Sequence, residues 1–354
     1  MHGSPNSDEV NPQGDTWPWT DPEIMRRIAM HRGQPSEPAR PAPVEPPPDR
    51  AADDLPGWIG SYRPLRRIRS GPLAETFIAR RDGAARDELT AVKRIHPNLH
   101  HVVEARALFA HEGRLLELLQ HPSVIRGVDL APAAQHGYFA TEFVRGHALP
   151  ALVRRSEQLG FRMPLRHVIA IVASIAEALD HAHGATDDTG APLHVVHGDV
   201  SPANITVADD GRVMLTDFGA AHSRLRAPQP RAQPNLGPVA YMSPEQSRGE
   251  AIDRRSDVYA LGVVLWELST WSRLYRRLAP EQVIARVAIG AVPLPSQVRA
   301  DIPAELEDVT MIALQPAAHR RFSSAGELAR TLRRLGGKAD PRGLDAWIRR
   351  MFHP

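Results

Sequence analysis

The 354-residue sequence has no cysteine, which excludes disulfides and thiolate metal sites. It has no apolar run near the roughly 20 residues that a membrane-crossing helix needs. The longest stretches, Val168–Leu179 and Val258–Leu268, are broken by Ser174 and Glu177 and by Glu267. No basic patch leads into an apolar core at the N-terminus, so no secretory leader is expected. A net charge of +2 gives no electrostatic case for a nucleic-acid partner. With 42% hydrophobic and 24% charged residues, the composition is that of a soluble globular protein, expected in the cytoplasm.

Lysine is the other scarcity: of 43 basic residues only Lys93 and Lys338 are lysines. Under such an arginine bias an ordinary surface lysine is exchanged at little cost. One that remains marks a place where a compact ammonium is needed and a forked guanidinium does not fit.

What is present divides the chain into three. Residues 1–57 are rich in Pro, Ser, Asp and Arg, with Pro41–Pro48 reading as an extended linker, and a disordered tail is expected. Within it, Asp21–His31 has helix-start signals, read as a transient helix; the alternative is a segment docking a partner protein, anchored by Trp17 and Trp19. From Tyr62 onward, strand-like runs at Thr76–Arg80, Leu89–Arg94, Val124–Leu130 and Tyr138–Val144 surround one helix at Ala105–Leu119. After Gly146, helices are predicted at Arg166–His183, Asp257–Thr270, Glu281–Ile289, Ala304–Ala313 and Ser324–Leu335. The expected fold is α+β: a small β-rich lobe over 58–145, a large helical lobe over 146–334, and a ligand crevice between them. A short helical tail over 335–354, with Leu344, Trp347, Ile348 and Phe352 on one side, is expected to pack on the large lobe.

The most informative segment is a hairpin inside the helical half, Ile205–Val207 and Val213–Thr216. His197-Gly198-Asp199 precedes it, Asn204 opens its first strand and Asp217-Phe218-Gly219 closes its second. The hairpin folds Asn204 and Asp217 toward each other with Asp199 just upstream. Hard oxygens so presented suit Mg²⁺, which takes one or two protein ligands plus phosphate oxygens. Asp199 is then left to orient or deprotonate an attacking hydroxyl.

These residues resemble the protein kinase family, specifically the bacterial eukaryotic-like (Hanks-type) serine/threonine kinases. The pattern H-R-D-x-x-x-x-N stands as His197-Gly198-Asp199-Val200-Ser201-Pro202-Ala203-Asn204, and D-F-G is intact. V-A-I-K stands as Thr90-Ala91-Val92-Lys93, and A-P-E as Ser243-Pro244-Glu245. Ser256–Gly262 resembles the start of the family's central helix, and Arg321 the arginine that pairs with Glu245. The resemblance spans some 270 residues in family order, far more specific than any one motif. It implies ATP with Mg²⁺ or Mn²⁺ as cofactors, Asp199 as base, and Asn204 and Asp217 as metal ligands. Lys93 would hold the α- and β-phosphates with Glu112 as its ion-pair partner. Thr141 would be the gatekeeper, Glu142–Val144 the hinge that reads adenine, and Gly71, Ala74, Thr76, Ala91 and Thr206 the walls of the nucleotide pocket.

The chain departs from the family in its phosphate, catalytic and activation loops, and at Thr76 and Thr206, two family positions that are usually apolar. The Gly-rich loop, Arg69-Ser70-Gly71-Pro72-Leu73-Ala74-Glu75-Thr76, keeps only Gly71. Arg69 could substitute as a phosphate-binding side chain, but a solvated surface arginine is the expectation. Gly198 replaces the arginine that receives an activation-loop phosphate, and between Gly219 and Ser243 there is no threonine and only Ser223. Receiver and acceptor are missing together, so no control by activation-loop phosphorylation is expected; Pro228–Pro238 could stiffen the loop instead. The family's loop lysine is Ser201 and its partner threonine is Pro238, a paired loss expected to slow transfer. The function expected is protein serine/threonine kinase. The alternative is a pseudokinase, a nucleotide-binding scaffold without turnover, and a small-molecule phosphotransferase fits the Asp-Phe-Gly and Ser-Pro-Glu elements poorly.

Overall fold

The computed structural model describes residues 55–354 except 131–132, 134–135, 226–238, 277, 337–340 and 353–354. The expected helix at Asp21–His31, the Trp17 and Trp19 anchors, Pro228–Pro238 and Lys338 lie outside the described residues. No helix among the described residues is long and apolar enough to cross a membrane.

The fold is α+β in two lobes. The first is an antiparallel sheet of β1 (Tyr62–Ser70), β2 (Ala74–Arg81), β3 (Thr90–Ile95), β4 (Gly127–Asp129) and β5 (Tyr138–Glu142), in the order β1-β2-β3-β5-β4. Alternation along the strands splits its side chains between two faces. Tyr62, Phe77, Ala79, Val92 and Ala140 form a small core on one face, closed by Ile59. The other face receives α1 (Val103–Leu118), where Ile95 and Phe139 meet Phe109 and Leu115. Sequence reading missed β1 because Arg63, Arg66, Arg67 and Arg69 mask the alternation; only Tyr62 and Pro64 of that strand are buried. Charged side chains of this kind are what keep an edge strand from pairing with other chains.

The second lobe begins with β6 (Gly146–Ala148) and α2 (Leu149–Gln158), a helix that the periodicity did not reveal. There follow α3 (Leu165–His183), the hairpin β7 (Ile205–Ala208) and β8 (Val213–Leu215), and α4 (Pro244–Ser247). α5 (Arg254–Thr270), α6 (Pro280–Ile289), α7 (Pro295–Val298), α8 (Ala304–Ala313), α9 (Ala325–Gly336) and α10 (Pro341–Phe352) complete it. Every residue of α5 from Ser256 to Thr270 is buried, the pattern of a helix apolar all round that sits at the centre of a core. Its N-cap is Asp253, which accepts the Arg255 N–H, so the helix starts three residues before the expected Asp257. That displacement frees the Asp257 carboxylate for another task. α10 lays Leu344, Ile348 and Met351 against the lobe, stacks Phe352 on His147 at 3.5 Å, and accepts the Arg155 Nε–H at Met351 O.

A short β6-β7-β8 sheet carries the hairpin, and Ile125 N–H donates to Leu215 O at 3.0 Å. That bond ties the hairpin to the connection between α1 and β4.

Candidate active site

Glu112 lies on the buried stripe of α1 with Ala105, Phe109 and Leu116. A carboxylate there needs a partner, because an unpaired buried charge is costly. Lys93 supplies it from β3. Its Nζ donates to both Glu112 oxygens at 2.7 Å and to Asp217 Oδ1 at 2.8 Å. Gly219 eases the approach: a Cβ there would stand a tight 3.1 Å from Glu112 Oε2 and 3.2 Å from Asp217 Oδ1.

Asp217 adopts a left-handed conformation, φ 65° and ψ 75°, which costs an ordinary residue about 1–2 kcal/mol. Its carboxylate turns toward Lys93 while Phe218, fully buried, packs edge-on to His197 at 4.7 Å. The second oxygen, Oδ2, lies 2.8 Å from Arg69 Nη1. The same nitrogen donates to Asn204 Oδ1 at 3.0 Å. Arg69 keeps the exposure expected from the sequence but is not free in water; it reaches from β1 into the crevice and bridges the two residues predicted to hold metal. The only sequence signal was an arginine standing where the family motif has glycine.

Asn204 Nδ2 donates to the backbone oxygen and to Oδ2 of Asp199, both at 2.9 Å. Asp199 is thus positioned by the residue five places on. The segment that leads into Asp199 is held by α5: Asp257 accepts the N–H groups of His197 at 2.8 Å and Gly198 at 2.9 Å, and bonds His183 Nε2 at 2.8 Å. Gln246 Nε2 donates to Gly198 O at 3.1 Å, coupling α4 to the same loop. Sequence reading missed these supports, since backbone partners leave no motif. Ser201, where the family carries lysine, is buried with no hydrogen-bond partner for its Oγ among the described residues.

The charges answer to these contacts. Burial pushes the Glu112 carboxyl up to about 7; Lys93 pulls it down and Asp217 adds to the rise. For Asp217 burial is outweighed by Lys93 and Arg69, which hold its carboxyl well below the usual range. Burial raises the Asp199 carboxyl, with His197 and Asn204 opposing.

The residues expected around a nucleotide fall as follows. Pairing of Thr76 with Lys93 and of Ala91 with Thr141 places Thr76, Ala91, Lys93 and Thr141 on one face of the sheet. Glu142 ends β5 with its N–H on Arg126 O, and Val144 lies in the connection to β6. Thr206 is on the second sheet, between Ala148 and Met214. Gly71 N–H donates to Ala74 O at 2.9 Å in the β1–β2 turn, and Gly71 O is bonded by His96 Nε2 at 2.7 Å. Ala74 is buried in the main core. Remote from the crevice, Arg321 pairs with both oxygens of Glu245 at 2.7 Å, and Ser256 Oγ donates to Glu245 Oε1 at 2.6 Å.

Residues 62–331 match the family model described as the protein kinase domain. The chain is similar to the tyrosine-protein kinase MasK of Myxococcus xanthus, 33% identical over 274 residues that cover 77% of this chain and 42% of that protein. It is similar to the serine/threonine-protein kinase PknD of Mycobacterium tuberculosis, 31% identical over 77% of this chain and 39% of the relative. The chain thus spans about two fifths of the length of these curated relatives. Among solved structures, the kinase domain of Mycobacterium tuberculosis PknI superposes with a TM-score of 0.54 at 26% identity, over 78% of this chain and 96% of that one. With its motifs in family order and the family model matched over both lobes, this chain belongs to the protein kinase family, among the Hanks-type bacterial kinases.

Proposed function

We propose that this chain is an ATP- and Mg²⁺-dependent protein kinase that transfers the γ-phosphate to serine and threonine hydroxyls of protein substrates. The observation that carries the reading is the Lys93 ammonium shared between Glu112 and Asp217, which brings sheet, α1 and hairpin into one assembly. In this reading Lys93 holds the α- and β-phosphates. Thr141 borders the adenine, the backbone of Glu142 and Val144 meets its edge, and Gly71, Ala74, Thr76, Ala91 and Thr206 enclose it.

Asn204 Oδ1 and Asp217 Oδ2 converge within 3.0 Å of one nitrogen of Arg69, so two hard oxygens face a common point. Such a donor set suits Mg²⁺ or Mn²⁺ completed by phosphate oxygens. When bound, the ion would neutralise charge on the transferring phosphate. Asp199 orients the acceptor hydroxyl and takes its proton as the new oxygen–phosphorus bond forms and the bond to the ADP oxygen breaks. Its raised proton affinity suits that role. Gly198 offers no side chain to a loop phosphate, so control by activation-loop phosphorylation is not part of the proposal.

The test is transfer from labelled ATP, with Mg²⁺ or Mn²⁺, to the chain itself and to generic protein substrates, beside Asp199→Asn and Lys93→Met. Incorporation in the wild type that disappears in both variants supports the proposal. Wild type and variants alike at background would sink it and leave a scaffold. Phosphoamino-acid analysis separates serine and threonine from tyrosine, the acceptor that the name of MasK brings into question.

A further inference from the structure

We propose that Arg69 stands in for a divalent cation in the resting site, so that this chain binds ATP without metal and must release Arg69 before metal-assisted transfer. The inference rests on the kinase reading above.

The geometry starts with Asn204. Its Nδ2 is committed to two oxygens of Asp199, so the amide cannot turn, and Oδ1 must face the crevice. Asp217 is committed likewise: Oδ1 is taken by Lys93, which leaves Oδ2 as its open acceptor. Arg69 Nη1 occupies the point between these two remaining oxygens, 3.0 Å from one and 2.8 Å from the other. A Mg²⁺ ion, at about 2.1 Å from its ligands, would draw on the same lone pairs, and a guanidinium beside it would be repelled. The two cations therefore exclude each other.

Charge argues in the same direction. Glu112, Asp217 and Asp199 converge with Lys93, and Arg69 is the second cation of this group. Without it the crevice would present excess negative charge to a polyphosphate. With it, Nε and Nη2 of Arg69 have no partner among the described residues and are available to phosphate oxygens, the planar fork matching them in a bidentate manner.

The placement is built into β1. The β1–β2 register shifts between Arg67 and Arg69, and such an irregularity re-aims the side chain next to it. The Arg69 side chain keeps 46% of its exposure, so it can swing away into water without breaking the core. A glycine at this position, as in the family motif, could make none of these contacts.

The experiment is titration of wild type, Arg69→Gly and Arg69→Lys with a fluorescent ATP analogue, once in EDTA and once in saturating Mg²⁺. Melting curves verify that the variants fold. Wild type is expected to bind in EDTA within about tenfold of its affinity in Mg²⁺, and Arg69→Gly to lose about tenfold or more in EDTA alone. Arg69→Lys, a point charge that spans the two oxygens and a phosphate less well, is expected in between. An equal ratio of metal-free to metal-loaded affinity in wild type and Arg69→Gly would overturn the proposal, as would failure of the wild type to bind in EDTA. The two readings separate on the same samples. Metal-free binding without phosphate transfer in Mg²⁺ sinks the kinase reading alone; transfer without metal-free binding sinks only this one.

Discussion

Gly198 donates its backbone N–H to Oδ1 of Asp257 at 2.9 Å while holding a φ of 75°. The central helix thereby dictates the shape of the loop that carries Asp199, and it does so through a backbone conformation that favours glycine. A Cβ at this position would also meet Ala220 O at 3.2 Å.

Restoring the family arginine here is therefore expected to fail. Gly198→Arg should destabilise the protein by about 1–2 kcal/mol, and Gly198→Ala by nearly as much, because the strain comes from Cβ. Denaturant unfolding of both variants checks this. Equal stability of Gly198→Arg and wild type would show that the loop relaxes and that the conformation is not demanding.

Glu112 sets a pH dependence. Its carboxyl is raised from the ordinary 4.5 to about 7, so the native state holds a proton that the unfolded chain has already released. Between those values the contribution of Glu112 to stability falls as pH rises. The ionised form that pairs fully with Lys93 becomes the majority only above about 7. Nucleotide affinity is expected to climb through neutrality in the wild type and to lose that limb in Glu112→Gln, as read by binding titrations from pH 6 to about 8.5.

Arg321 and Glu245 form a bidentate pair with the Arg321 side chain fully buried, and the arginine donates further to Gln315 O, Arg255 O and Pro316 O. Removing one partner leaves the other charge uncompensated in the core. Glu245→Ala or Arg321→Ala should each cost about 3–5 kcal/mol, with the double variant less than the sum. Chemical denaturation of the three proteins measures the coupling, and additive losses would contradict the pairing.

Ser201 gives the opposite expectation. Its Oγ is buried and unpartnered among the described residues, so Ser201→Ala removes a desolvated hydroxyl. Stability should be unchanged or higher by about 1 kcal/mol. A melting temperature lowered by several degrees would reveal a partner for the hydroxyl that the described residues do not supply.

Much of the site was legible because each motif answers a local demand. An arginine-biased sequence that keeps Lys93, Glu112 set nine residues before His121-Pro122 as the family resemblance implies, and a hairpin bracketed by Asn204 and Asp217 all speak through residue type and spacing. The helices α3, α5, α6, α8, α9 and α10 announced themselves by their apolar periodicity. β1 and α2 did not: arginines hide the alternation of the first, and the second has only Leu149, Leu152 and Ser156 buried.

The sequence alone determined the two-lobed α+β fold and the order of the chemical groups, since these are written in local pattern, and its resemblance to the family exposed the losses in the Gly-rich and catalytic loops. Only tertiary structure decided what fills those losses. Whether Arg69 faces water or the Asn204–Asp217 pair depends on a register shift between strands and on which amide orientation Asp199 enforces. Whether Asp257 caps a helix or clamps the catalytic loop depends on where that helix begins. Both are relations between distant segments, and a hydrogen bond across 59 or 135 positions has no period from which to be read.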